Sequence, residues 1–490
     1  MLGSAALVPT WGKLSDIFGR KPILMTAVVV FWVGSLLCAL SRSMGMLIAA
    51  RAIQGIGGGG TIVLPNICVA DLFSARKRGV YFGFLGMIWA IASAIGPIIG
   101  GAFTSRVSWR WCFWINLPCG GLAFVILIFY LKLHNPRTPV KAGLAAIDWV
   151  GNILIVGGTI MLLMGLEFGG TQYPWKSATV ICLLIFGALL IVVFLAYESR
   201  VAKFPVIPTH LFNTRTSIAT YLTSSLHAFT FISGSYYLPL YFQAVLGANS
   251  LLSGVYLLPF VSVMSLMSAG VGFFINKTGK YKVVINAGLL FSTLGFGLFT
   301  YFGDHPHWER IVLFQVIAGI GIGPNFQAPL IALQANVAPR DIGAATSSLQ
   351  FVRQLCTAAS VAVGGVVIGN RMQGQQGKLV SELGAQIASQ FSGTDASSNV
   401  DRIKLLPLDS QQTVKTAYWN ALQTMFIVFT CSSFLGLLIS LFIKQTSLSK
   451  QHTEHKTGLQ TLKASTREKK PNSDEETGTA VLSTPHGTEK

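Results

Sequence analysis

The 490-residue chain is 52% hydrophobic and 11% charged, and its 36 lysines and arginines outnumber 18 acidic residues for a formal charge of +18. Soluble domains carry about 25% charged residues, so the balance excludes an ordinary soluble protein and describes an integral membrane one. The basic excess does not point to nucleic acid, because the cations are dispersed among short loops rather than gathered on one face.

Apolar runs of roughly 18 to 25 residues, long enough to cross a bilayer as helices, recur along the chain. A short run at 1–11 leads into Gly12-Lys-Leu-Ser-Asp16-Ile-Phe-Gly19-Arg20-Lys21. Runs follow near 23–41, 46–70, 79–103 and 111–131; the second carries Arg51 and the third Gly96-Pro97-Ile-Ile-Gly100-Gly101. Two more, 147–168 with Glu167 near its end and 178–197, occupy the middle. The second part holds 217–242, 251–275, 283–302, 311–337, 344–369 and 420–443. The expectation is an all-α polytopic membrane protein of about thirteen helices. Residues 370–418 are expected to form a long outward loop with an amphipathic turn at 379–391. Residues 444–490, rich in Lys, Glu, Ser and Thr, read as a disordered cytoplasmic tail.

Alternate loops are rich in cations: Arg20 and Lys21; Arg76, Lys77 and Arg78; Lys132, Arg137 and Lys141; Arg200 and Lys203; Lys277, Lys280 and Lys282; then Arg340. These face the cytoplasm by the positive-inside rule. Arg106 and Arg110 are the main exception on the outer side. The sequon Asn276-Lys-Thr lies in a cytoplasmic loop and is a false match. Seven scattered cysteines form no metal-binding spacing, Gly55-x-Gly57-x-x-Gly60 follows no strand, and no phosphate-binding Gly-Lys-Ser/Thr occurs. No catalytic constellation, cofactor site or ATP-driven pump is expected.

The chain repeats itself. Residues 12–21 return in degraded form as Gly272-Phe-Phe-Ile-Asn276-Lys-Thr-Gly279-Lys280, and Arg51-Ala-Ile-Gln-Gly55-Ile-Gly57 returns as Gln315-Val-Ile-Ala-Gly319-Ile-Gly321. In the latter register Pro65 pairs with Pro329, Arg76 with Arg340, Gly79 with Gly343 and Gly100-Gly101 with Gly364-Gly365. Such a duplication predicts two six-helix halves, at 1–132 (partial) and 201–443, around two extra central helices at 133–200.

Physical chemistry then nominates residues. Asp16 at a cytoplasmic helix end can accept from a neighbouring helix N-terminus, and contacts of that kind form in one conformer and break in another. Arg51 lies in an apolar run, where a charge costs several kcal/mol unless it meets water or a partner; Arg353 poses the same question, and Glu167 more weakly. Gly96-Pro97 permits a kink, and Gly100 and Gly101 allow a close helix approach. Tyr236, Tyr237, Asn325, Gln327, Gln334 and Gln350 are polar or aromatic residues of late apolar helices and the cavity candidates, suited to a small amphipathic organic molecule.

In combination these motifs resemble the major facilitator superfamily, and within it the fungal drug:proton antiporters of the fourteen-helix type. Gly12-x-x-x-Asp16-x-x-Gly19-Arg20-Lys21 is similar to the loop signature after the second helix, and Leu47-x-x-x-Arg51-x-x-Gln54-Gly55 to the fourth-helix signature. Ala92-x-x-x-Gly96-Pro97-x-x-Gly100-Gly101 is similar to the antiporter signature, with Ala92 for the usual first glycine. Trp109–Pro118, Gly169–Trp175 and Tyr236–Gln243 resemble the fourteen-helix branch in particular. The resemblance implies proton-driven export of drugs or a toxic secondary metabolite across a plasma membrane by a monomer, with Arg51 in proton coupling. It also implies a first helix absent from this sequence, through a truncated gene model or in an impaired form. Siderophore import, vacuolar transport of basic amino acids and an inactive truncated form are the alternatives.

Overall fold

A computed structural model describes residues 2–134, 136, 138–170, 172–391, 399–451 and 458. The described residues are helical almost throughout and contain no strand, only an isolated bridge between Gly169 and Tyr173. Eleven helical stretches among them are long and apolar enough to cross a membrane.

The first half contains α1 (Leu2–Phe18), α2 (Arg20–Ala39), α3 (Met44–Leu72), α4 (Arg78–Arg106), the short α5 (Trp111–Trp114) and α6 (Asn116–Tyr130). Gly19, at φ +98°, makes the turn from α1 to α2 that a side chain would strain. After the short α7 (Val140–Ala145) come the central helices α8 (Trp149–Phe168) and α9 (Ala178–Arg200). They are pinned to the first half at α1, where the Thr10 hydroxyl donates to Asn152 Oδ1 at 2.6 Å and Lys13 Nζ to the Pro205 carbonyl at 3.1 Å.

The second half runs α10 (Arg215–Ala244), α11 (Ser250–Tyr256), α12 (Leu258–Thr278), α13 (Tyr281–Phe299), α14 (Trp308–Ile322), α15 (Ala328–Ala335), α16 (Ile342–Gly374), the short α17 (Gln376–Leu383) and α18 (Ala385–Ala388), and finally α19 (Leu408–Ser440). The expected thirteen runs map onto these helices, yet α1 and α10 fall outside the eleven spans. The first has 17 residues. The second carries Ser217, Thr220, Thr223, Ser224, Thr230 and Ser233, all buried, so its polarity turns inward to other helices rather than toward lipid. Large apolar side chains such as Leu122, Phe129, Ile185 and Leu266 lie exposed on the outside, the pattern of a lipid-facing surface.

Three expectations are corrected. The run at 311–337 is not one helix: a 3₁₀ turn at Gly323–Phe326 separates α14 from α15, because Pro324 lacks an N–H and Gly323 packs against the α12 backbone at Met264. The outward segment is shorter than 370–418, since α16 continues to Gly374 and α19 starts at Leu408; Leu379 and Phe391 in it are buried against the second-half core. The tail does not begin free at 444. Its first residues dock under the face expected to be cytoplasmic: Gln445 Nε2 donates to the Gly279 carbonyl at 2.9 Å, Thr446 Oγ1 to Asn336 Oδ1 at 2.9 Å, and the Arg76 N–H to the Ser449 carbonyl at 3.2 Å. Residues 452–457 and 459–490, the bulk of the expected disordered tail, lie outside the described residues.

Candidate functional site

A cavity of about 730 Å³ lies between the halves, within the size range of small-molecule sites. Its walls come from α1, α2, α3, α4 and the start of α6 on one side and from α10, the 3₁₀ turn and α16 on the other. Arg51 lies on the second turn of α3, on the outer side. Its Nη1 donates to Gln54 Oε1 at 2.7 Å, Gln54 Nε2 donates to the Ser35 hydroxyl at 2.7 Å, and the guanidinium sits 5.6 Å from the Phe113 ring centre. The amide therefore fixes the cation at the cavity wall.

Arg353 enters from α16 opposite. Breaking the helix at Gly323–Phe326 frees backbone carbonyls that would otherwise be costly in an apolar interior. Arg353 Nη1 donates to one of them, Phe326 O, at 2.9 Å, and His227 Nε2 donates to another, Ile322 O, at 3.0 Å. Phe326 and Gln327 are thereby turned toward the cavity. Sequence reasoning missed both the break and His227; the signal was Gly323-Pro324 with Pro329 inside an apolar run.

The nominated residues thus divide. Arg51, Arg353, Gln327 and Gln350 line the cavity together with Phe231. Asn325 and Gln334 do not: Asn325 Nδ2 reaches back to the Gly321 carbonyl at 3.3 Å, and Gln334 bridges Arg78 of the first half to the Thr346 hydroxyl of the second. Tyr237 is 2% exposed and spends its hydroxyl on the Val361 carbonyl at 2.6 Å, while Tyr236 is 57% exposed on the other side of α10. Glu167 is exposed and outside the cavity wall.

The glycines of α4 also depart from expectation. The helix runs unbroken through Pro97, and a Cβ at Gly96, Gly100 or Gly101 would meet open space. The close approach occurs at the opposite end of α4, where a Cβ at Gly79 would lie 3.0 Å from the Gly272 carbonyl and one at Gly83 3.0 Å from the Ser268 carbonyl of α12.

Below the cavity the helix ends expected to face the cytoplasm are shut. Gly12 of α1 abuts Ser347 of α16, and the Asp16 carboxylate lies beside Gly343 in the first turn of that helix, at its positive end. Arg20, 2% exposed, ties Asp16 at 2.5 Å and Asp71 at the end of α3 at 2.7 Å. Asp71 was not singled out from the sequence. Lys21 instead caps the end of α6 through the Ile128 carbonyl at 2.7 Å. On the outer side, Arg110, exceptional for its sidedness, stacks on Trp109 at 4.4 Å and donates to the Ser41 carbonyl, so it holds two outer loops together. Ile48, Arg51 and Asn116 carry the cavity wall toward the helix ends opposite this closed seam.

Comparison with known proteins agrees with this architecture. The profile of the Major Facilitator Superfamily matches residues 1–361. The chain is 48% identical over 463 residues to "Efflux pump dotC" of Dothistroma septosporum, covering 94% of this chain and 80% of that protein. It is 46% identical over 459 residues to "MFS-type transporter ppz2" of Metarhizium majus, covering 94% and 79%. Among solved structures, the human organic anion transporter MFSD10 (TETRAN) superposes with a TM-score of 0.56 at 16% identity, over 90% of this chain and 81% of that one, a likeness of fold.

Proposed function

The chain belongs to the Major Facilitator Superfamily, and on that premise we propose that it is a secondary exporter of toxic or drug-like organic molecules, driven by proton exchange through alternating access. The observation that carries the reading is the cavity between the two halves, closed at the Asp16 end, in a chain 48% identical to a protein named an efflux pump. The superfamily makes it a multi-pass membrane transporter and not an enzyme. Its work needs two states. The closed cytoplasmic end supplies one; release of the contacts around Asp16 and Gly272 would open the other. Arg51 and Arg353, the ionisable groups of opposite walls, would change hydration and pairing as the cavity opened to the other side, which suits a role in coupling. The protein would act as a monomer in the plasma membrane, with the vacuolar membrane as the alternative.

A basic amino acid as cargo is disfavoured, because the cavity wall offers it arginines and no carboxylate among the described residues. The experiment is efflux of dyes and toxins from pump-deficient yeast expressing the chain, with and without a protonophore. Protonophore-sensitive efflux supports the proposal. Efflux that survives collapse of the proton gradient removes the coupling, and retention of every compound removes the exporter.

A further inference from the structure

We infer that the cavity selects amphipathic organic anions, an aromatic body bearing one ionised carboxylate or phenolate that seats between Arg51 and Arg353. The inference rests on the exporter reading for its cargo but on the cavity wall for its chemistry. Among the described residues, Arg51 and Arg353 are the ionisable side chains of that wall, and no Asp or Glu lines it.

Among the described residues, neither arginine has a carboxylate partner in an ion pair. The buried pairs of the described residues, those of Arg20 with Asp16 and Asp71, lie at the cytoplasmic end. Arg51 is held by a neutral amide oxygen and Arg353 by a neutral backbone carbonyl. A guanidinium presents five N–H donors in a planar fork, so each retains donors for a bidentate anion. Two like charges facing one low-dielectric space raise its potential, attracting anions and repelling cations. The rest of the wall suits an aromatic body: Phe31, Trp89, Phe231 and Phe326 supply ring faces and edges, and Gln327 and Gln350 supply neutral donors and acceptors. A cation in the same place would meet both arginines with no counter-charge.

The test uses the full chain in lipid nanodiscs and two dyes that share a three-ring body, anionic fluorescein and cationic rhodamine 123, with binding read by fluorescence anisotropy. Fluorescein is expected to bind at least about 10-fold more tightly, a difference typical of one well-placed charge contact. Arg51→Gln and Arg353→Gln should each weaken fluorescein about 10-fold and leave rhodamine 123 no weaker. Equal or tighter binding of rhodamine 123 to the unmodified chain overturns the inference, as does binding of neither dye; that comparison does not depend on any variant folding. Parallel flux in proteoliposomes separates the two readings. Fluorescein bound but never moved keeps the anion site and removes the exporter, whereas rhodamine 123 moved in preference keeps the exporter and removes the anion site.

Discussion

Two seams close the cytoplasmic face, and the internal repeat relates them. In one, Gly12 of α1 meets Gly343 and Ser347 of α16; in the other, Gly272 of α12 meets Gly79 and Gly83 of α4. The duplication pairs Gly12 with Gly272 and Gly79 with Gly343, so the same pair of positions makes both contacts. What differs is the chemistry added. The first seam carries Asp16, Arg20 and Asp71 in a nearly dry network. The second holds Asn276 where Asp16 would stand, and Arg76 crosses it by donating to the backbone carbonyls of Asn276, at 2.7 Å, and Lys277. Backbone proximity is thus the common closing device, and charge is the property of one half. Because Arg76 uses main-chain carbonyls, the second seam tolerates changes in the side chains of Asn276 and Lys277; a seam held by paired ions does not tolerate loss of a carboxylate.

The largest effect is expected where both seams depend on the same thing. Gly12→Leu and Gly272→Leu each push a side chain into a partner helix, and overpacking of this kind costs about 1–3 kcal/mol. All of it falls on the closed state, so either variant should shift the population toward open cytoplasmic ends by roughly 5-fold or more. Spin labels on the cytoplasmic ends of α4 and α12, and of α1 and α16, would report the opening as longer distances. If Gly272→Leu opened its seam and Gly12→Leu did not, the pseudo-symmetry of closure would fail.

Next comes the charge that divides the seams. Asp16→Asn keeps the volume but leaves Arg20, 2% exposed, with Asp71 as its remaining carboxylate. Weakening a buried ion network is expensive, about 1–3 kcal/mol for a lost charged hydrogen bond. Transport should fall roughly 10-fold with expression intact, and Asp71→Asn should do the same. A double variant no worse than either single one would show that the three residues act as a unit. Unchanged flux in Asp16→Asn would reduce the first seam to packing alone.

Much of this was legible because it repeats or because it is long. Most of the apolar runs match helices to within a few residues, while α1 and α19 extend well beyond the runs at 1–11 and 420–443 into polar sequence; the duplication alone pairs Gly12 with Gly272. What escaped depends on neighbours distant in sequence. Nothing local to Asp71 shows that Arg20 will reach it, and nothing in Tyr237 shows that its hydroxyl will be taken by the Val361 carbonyl rather than offered to a cavity. The amides divided for the same reason: Gln327 and Gln350 face the cavity while Asn325 and Gln334 satisfy other polar groups, and all four look alike in a one-dimensional pattern. The glycines of α4 mislead differently. A small residue marks where a helix can approach, but whether one does, at Gly79 and Gly83 and not at Gly96, is set by the placement of α12.

The smallest effects sharpen the contrast from the neutral side. Residues 444–451 lie across the second seam, with the Arg76 N–H on the Ser449 carbonyl and the Thr446 N–H on the Tyr281 hydroxyl at 2.8 Å. Ending the chain after Ile443 removes a few hydrogen bonds worth about 0.5–1.5 kcal/mol each, so a modest opening of this seam is expected and little change at the other. Asn276→Ala should do less still, within about 0.5 kcal/mol, because Arg76 uses the carbonyl of Asn276, which the substitution retains. The two positions are repeats of one another, so the ratio of the Asp16→Asn effect to the Asn276→Ala effect, read by the same spin-label distances, measures how much of closure charge supplies. A ratio near one would mean that the halves close alike and that the ions around Arg20 serve only to orient the chain in the membrane.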